Sequence, residues 1–266
     1  MKIGIFGCAG RMGRMLGAVA LVTRGVDLIG GTEAPGSLHI GEDQGWLATG
    51  EPIGINVSDD AEALVEVADV VIDFTVPAAT VTHSLLAAAY GTSIVIGTTG
   101  LSNGEMEKIV DVSKKAAVVH AGNMSLGVNL LVGLAQQVAK ALGPEFDIEV
   151  LEMHHKYKVD APSGTALMLG NAAAHGRGVD HDTSAVMSRE GHTDERVENT
   201  IGYATLRGGS VVGDHAIIFA GPDERVELTH KAADRSIFAR GAVRAALWTK
   251  GQVPGLYTMR DVLGLE

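Results

Sequence analysis

The chain is poor in several things that would steer a reading. It has one cysteine, Cys8, in 266 residues, so no internal disulfide can form, and a reducing compartment is expected. Aromatic residues make up only 4%. Basic residues are outnumbered, 21 against 32 acidic ones, and the net charge of -11 argues against a general nucleic-acid or membrane-surface binder. No run of about 18 apolar residues occurs, so no membrane-spanning helix is expected. The opening MKIGIFGCAGRMGR stays apolar only briefly before Arg11, which does not fit a secretory leader. Internal repeats and low-complexity stretches are absent. These absences together predict a cytoplasmic protein.

What is abundant is glycine, with 35 residues, about 13% of the chain against an average near 7%. The glycines have no three-residue period, which excludes collagen, and 46% hydrophobic residues exclude disorder. Tight turns and close backbone approaches are the remaining use for so much glycine.

Strand and helix signals alternate in the first half. Residues 3–6, Val26–Gly31, Asp69–Thr75, Ser93–Gly97 and Ala117–His120 read as strands. Met12, Met15, Leu16 and Val19 follow helical spacing. Pro77 suits a helix start, with Val81, Leu85 and Ala88 on the buried face and Gly91 as C-terminal cap. Ser102 and Glu105 form a capping box. Such alternation predicts a parallel sheet covered on both faces. The rhythm changes near residue 125. A helix over 126–142, with Leu130, Leu131, Leu134 and Val138 on one side, precedes a strand at Asp147–His154. Several strands follow between 184 and 231, Arg207–Ser210 (RGGS) suits a two-residue hairpin turn, and a helix closes the chain from about 235. The second half reads as a mixed α+β unit with an open sheet.

Between the first strand and first helix lies GCAGRMG, residues 7–13. Gly7 would allow the tight turn, Gly10 a close backbone approach to a pyrophosphate, and Gly13 close helix–strand packing. The helix N-terminus would face the phosphates. Glu33 stands twenty residues after Gly13, where an acid holds the adenosine ribose hydroxyls. Ala34, Pro35 and Gly36 follow without a cation, so NADH is expected to serve at least as well as NADPH, although Arg11 and Arg14 could help a phosphate. GTTG (97–100) and HAGNMS (120–125) also fall at the carboxyl edge of the expected sheet, where ligands bind.

EMHHKYKVDAPSGTA, residues 152–166, places His154, His155, Lys156 and Lys158 within five positions of an acidic chain. If the strand persists, His154, Lys156 and Lys158 share a face, a proton donor beside fixed positive charge. His154 and His155 point oppositely, and no cysteine or H-x-x-x-H spacing supports zinc, so no metal is expected. Ser163 or Thr165 would cap a helix whose free amides suit a carboxylate. Basic strand, glycine turn and helix start describe a pocket for a small polycarboxylate. The other histidines read as structural or surface groups, His120 excepted because it borders a cofactor loop.

GCAGRMG, DFTVP, VIGTTG, GNMSLGVN, EMHHKYKVDAPSGTA, SREGHTDER, IGYATLRGG and GAVRAALW…MRDVL together resemble the 4-hydroxy-tetrahydrodipicolinate reductase (dihydrodipicolinate reductase) family over essentially the whole chain. The resemblance implies NADH- or NADPH-dependent reduction of a cyclic imine carrying two carboxylates to tetrahydrodipicolinate, with loss of water from the hydroxylated form (via dihydrodipicolinate), in diaminopimelate and lysine biosynthesis. It implies His154 and Lys158 as catalytic groups, and His155, Gly164 and Thr165 as substrate contacts. It further implies Gly7, Cys8, Ala9, Gly10, Arg11, Met12, Glu33, Gly97, Thr98, Thr99, Ala121, Gly122, Asn123 and Met124 as cofactor contacts. Several members carry Arg where this chain has Ala34, which bears on use of the phosphorylated cofactor. The implied architecture is a Rossmann-type doubly wound domain, residues 1–125 with 235–266, and a substrate domain, residues 126–234, whose open sheet builds a homotetramer. A hinge is implied that closes the domains over substrate. Two rival readings are another two-domain NAD(P)-dependent dehydrogenase, such as one acting on an aldehyde, which wants a cysteine nucleophile outside the glycine loop, and an NADH-sensing regulator, which wants a basic DNA-reading helix.

Overall fold

The computed structural model describes residues 1–265. Two compact units divide the chain, Met1–Leu126 joined by the segment from Ser236, and Gly127–Arg235.

In chain order the first unit builds β1 (Lys2–Phe6), α1 (Arg11–Val22), β2 (Asp27–Thr32), α2 (Gln44–Thr49), α3 (Ala61–Val67), β3 (Val70–Asp73), α4 (Pro77–Tyr90), β4 (Ser93–Ile96), α5 (Asn103–Ser113) and β5 (Ala117–His120). Next come α6 (Leu126–Leu142), β6 (Asp147–His154), α7 (Gly164–Arg177), α8 (His181–Ser184), β7 (Ala185–Val186), β8 (Ile201–Arg207), β9 (Gly213–Ala220) and β10 (Arg225–Ala232). The chain ends with α9 (Ser236–Trp248), β11 (Gly255–Tyr257) and α10 (Met259–Leu263), which belong to the first unit.

The six strands of the first unit run parallel in the order β11-β5-β4-β3-β1-β2. Alternate residues of each strand serve different cores. Ile3, Ile5, Val70, Ile72, Val95 and Val119 pack with Leu16 of α1 and Ala242 and Val243 of α9. Phe6, Val71, Ile94, Ile96 and Val118 pack with Val65 of α3, Ala87 of α4 and Ile109 of α5. A sheet buried on both faces needs apolar residues at every position, which is why its strands read as short continuous runs. The strand order reverses between β1 and β3, so their carboxyl ends open the crevice where doubly wound folds bind ligands.

The second unit is a mixed sheet in the order β10-β9-β6-β8-β7. β6 is parallel to β8 and antiparallel to β9. Ile148 and Val150 of β6 bury one face with Leu131, Ala135 and Ala139 of α6 and Leu169 and Ala173 of α7. No helix of the second unit packs on the opposite face, where Leu151, Met153 and Ile218 are half-buried and Ala204 and Leu206 are exposed.

Several local expectations need correction. Leu85 is exposed, because α4 turns the small residues Thr80, Val81, Ser84 and Ala87 to the sheet. Leu130 is exposed too, and α6 buries Val128, Leu131, Ala135 and Ala139. Val81 and Leu131 are buried as expected, but small residues allow close packing, so a stripe chosen by side-chain size was misplaced at Leu85 and Leu130. RGGS is not a hairpin turn. β8 and β9 lie on opposite sides of β6, and residues 208–212 cross the end of β6 to join them. The helices α2 and α3 occupy a stretch that carried no sequence assignment.

Candidate active site

The glycine turn after β1 is built as its spacing suggests. Gly7 has φ +68°, a left-handed conformation that favours glycine. A Cβ on Gly13 would lie 2.1 Å from the Gly7 carbonyl oxygen, so only glycine lets α1 approach this closely. Gly10 is the N-cap of α1, and no side chain caps the first turn there. By contrast, Asp43, Asp60, Ser102, Ser163 and Asp180 all accept amide hydrogens at their own helix starts. The first turn of α1, like that of α4, thus presents its positive end without a side-chain cap.

Glu33 lies just past β2, and its Oε1 accepts the Ala9 amide hydrogen at 2.7 Å. The Arg14 Nε donates to the Ala9 carbonyl at 2.7 Å, which ties this cation into the loop, while Arg11 is exposed. A cleft of about 230 Å³ is lined by Met12, Phe74, Gly97, Ala121, Gly122, Asn123, Met124 and Phe238. It brings together residues from all three glycine-rich segments.

Two expected contacts point their side chains inward. Cys8 is buried, and burial pushes its thiol up to about 12. Thr98 is buried and its hydroxyl bonds to Asp73. The fully buried Asp73 organises this strand edge, since its Oδ1 also accepts from the Thr75 amide at 2.9 Å and the Thr75 hydroxyl at 2.6 Å. Its Oδ2 lies 2.7 Å from Nδ1 of His83, whose ring stacks on Phe6. Thr99 is exposed, and burial lowers the pKa of His120. Phe74 and Phe238, expected only as parts of a strand and of the closing helix, were not expected at the site, because periodicity reports burial and not ligand contact. Gly97 could have flagged Phe74, since any Cβ there would lie 2.2 Å from that ring.

In the second unit the strand β6 stops at His154, and residues 156–157 form a turn. The expected common face of His154, Lys156 and Lys158 therefore does not form. The crossing segment causes the stop. Gly208 donates its amide hydrogen to the His154 carbonyl at 2.9 Å, and the His155 amide donates to the Val211 carbonyl at 2.8 Å. The turn instead carries Lys158 to Asp160, with Nζ at 2.8 Å from both carboxylate oxygens. That ammonium holds the Asp160 carboxyl below its usual range.

His154 is buried, with Nδ1 at 2.6 Å from Oε2 of Glu152. Burial pulls its pKa below the ordinary value. Glu152 opposes this, and Lys158 and Arg207 add to it. Nδ1–H is thus donated to the carboxylate, and Nε2 is a lone-pair acceptor at neutral pH. Burial works against ionisation of Glu152, but Arg207, His154 and the Ser163 amide outweigh it and hold the carboxyl below its usual range. Ser163 caps α7 by accepting the Ala166 amide hydrogen at 3.1 Å, and its Oγ lies 2.8 Å from Nε2 of His215. Beside Gly164 the space is open, for an added Cβ would meet nothing within 4 Å. His155 faces elsewhere, with Nε2 3.4 Å from Nη2 of Arg235.

His215, Glu152 and Arg207 were missed as site residues. His215 stands opposite Glu152 on β9, edge-on to His154 with centroids 5.0 Å apart. Burial, then the neighbouring His154, push its pKa down to about 4. The signal available was alternation, since Gly213, His215, Ile217 and Phe219 share the buried face of β9. Among the described residues no cluster of three or more His, Cys, Asp or Glu is arranged for a metal, and no helix is long and apolar enough to cross a membrane.

The chain was compared with known proteins. Residues 1–124 match the model of the dihydrodipicolinate reductase N-terminus, and residues 127–263 match that of its C-terminus. A 4-hydroxy-tetrahydrodipicolinate reductase of Afipia carboxidovorans is 56% identical over 265 residues, covering 100% of this chain and 97% of the relative. One from Beijerinckia indica is 52% identical, with 100% and 98% covered. Among solved structures, a dipicolinate-bound dihydrodipicolinate reductase from Paenisporosarcina sp. TG-14 superimposes with a TM-score of 0.78 at 23% identity, covering 98% of each chain. At that identity the likeness speaks for the fold.

Proposed function

The chain belongs to the dihydrodipicolinate reductase family, and from that premise we infer that it is a 4-hydroxy-tetrahydrodipicolinate reductase of diaminopimelate and lysine biosynthesis. It is an oxidoreductase with a pyridine-nucleotide-binding fold. The observation that carries the reading is the pairing of an uncapped glycine turn in one unit with the Glu152–His154–Ser163 cluster in the other.

The nicotinamide cofactor fits the first unit. Gly7–Met12, Gly97–Thr99 and Ala121–Met124 would hold it, and Glu33 would take the ribose hydroxyls. Bound there, the reduced nicotinamide supplies the hydride. NADH serves at least as well as NADPH. Support comes from the Glu33 charge fixed against the glycine turn, the engaged Arg14, and Ala34–Pro35–Gly36 lacking a cation.

Once the hydroxylated substrate has lost water, hydride addition to the resulting cyclic imine leaves negative charge on nitrogen, and a proton must reach it. The Lys158 ammonium donates that proton. His154 presents Nε2 as acceptor, because its own proton is committed to Glu152. The start of α7 at Gly164 and Thr165 takes one substrate carboxylate by its amides and its dipole. His155, beside Arg235, helps hold the substrate. Local cations are needed because substrate, cofactor and protein are all negative.

The bare face of the second sheet, with Leu151, Met153 and Leu206, supports assembly into a homotetramer. The pathway supports a cytoplasmic location. The test couples the protein to the upstream synthase, which forms the substrate in situ from pyruvate and aspartate semialdehyde. Loss of NADH absorbance that requires both is expected, and no such loss would overturn the assignment.

A further inference from the structure

Glu152 takes no part in the proton transfer assigned above, yet it is only 1% exposed and accepts four hydrogen bonds. Its Oε2 receives Nδ1 of His154 at 2.6 Å and Nη1 of Arg207 at 2.8 Å. Its Oε1 receives the Ser163 amide at 3.0 Å and Nη2 of Arg207 at 3.0 Å. Arg207 then donates to the carbonyl of Asp160 at 2.7 Å. One carboxylate therefore touches the imidazole and the N-cap of α7, and its counter-ion holds the turn that carries Lys158. A fork-shaped guanidinium is suited to this bidentate task, and a lysine would not reproduce it.

We propose that Glu152, clamped by Arg207, is the positioning residue of this site. It keeps the His154 proton on Nδ1, leaves Nε2 free, and sets the carboxylate-binding start of α7 in register with that nitrogen. The proposal deepens the reductase reading and rests on it. The alternative tautomer would set the Nδ1 lone pair against an ionised oxygen, which is repulsive. The groups facing the imidazole are Glu152 on its own strand, Arg207 on β8, His215 and Gly213 on β9, and Lys158 from the turn. Of these, only Glu152 accepts the Nδ1 hydrogen.

Two readouts test this. Nitrogen-15 NMR of histidine-labelled protein reads the tautomer of His154 without substrate. Nδ1–H is expected in the unaltered protein, and a mixture in Glu152→Gln. An Nε2–H tautomer in the unaltered protein overturns the proposal, whether or not the variant folds. Kinetics supply the second readout. E152Q should lower kcat at least about tenfold, shift the acid limb of kcat to lower pH, and raise KM. In a His154→Ala background, E152Q should change kcat by less than about twofold. Equal losses in both backgrounds would mark Glu152 as a general prop and overturn the proposal. Thermal melting and NADH binding confirm that each variant is folded. If the unaltered protein does not turn over substrate, the reductase reading fails, while the tautomer still tests the clamp.

Discussion

A Cβ on Gly213 would lie 3.0 Å from Nε2 of His154. The free imidazole nitrogen is thus open because the facing strand carries hydrogen where other residues carry carbon. Both residues stand on the helix-covered side of the sheet, Gly213 on β9 and His154 on β6. Gly213→Ala should press on Nε2 and lower kcat by about tenfold or more, since positioning errors of this size are costly. NADH affinity should be unchanged, because Gly213 lies outside the unit that carries the proposed nucleotide site. Steady-state kinetics with fluorescence titration of NADH decide the matter, and a fully active G213A would show that Nε2 is not used.

Lys158 is held by Asp160 at 2.8 Å and is assigned the proton. Lys158→Ala should lower turnover by more than about a hundredfold while leaving NADH affinity nearly unchanged. Full activity in that variant would remove Lys158 from the mechanism.

The Glu33 carboxylate beside Ala9 should repel a 2′-phosphate. The kcat/KM with NADH should equal or exceed that with NADPH. A preference for NADPH of about tenfold or more, roughly 1.4 kcal/mol, would mean that a cation such as Arg11 offsets the charge.

His215 predicts a pH dependence of stability. Its pKa is pushed down to about 4 in the folded protein, against about 6.5 when unfolded. Between these values the unfolded state binds more protons, so stability rises with pH. The contribution is fully present above about pH 6.5 and is lost as pH falls through about 4, an effect of order 3 kcal/mol. Urea melts of the unaltered protein and His215→Gln across this range should converge or cross toward acid. Parallel curves would show that His215 titrates normally in the fold.

The glycine turn and the parallel first sheet were legible because each depends on local rules. Gly7 and Gly13 are demanded by one turn, and an apolar run such as Asp69–Thr75 announces a strand buried on both faces. EMHHKYKVDAPSGTA announced itself by holding positive charge in an acidic chain. Helix faces were less legible, since Leu85 and Leu130 are exposed while Ala87 and Ala135 are buried. Size suggests burial, but close helix packing selects small residues.

By itself, the sequence determined the two-part α/β character, the dinucleotide turn, the family, and the short stretch that holds His154 and Lys158. The tertiary structure decided what those residues are bonded to. Strand register set His215 and Arg207 beside Glu152, and the crossing segment at 208–212 ended β6 after His154. Glu152, Arg207 and His215 lie as much as 63 positions apart in sequence, so no local pattern links them. Only pairing across three strands puts a buried carboxylate, its counter-ion and the imidazole within hydrogen-bonding reach, and that contact decides which nitrogen of His154 carries the proton.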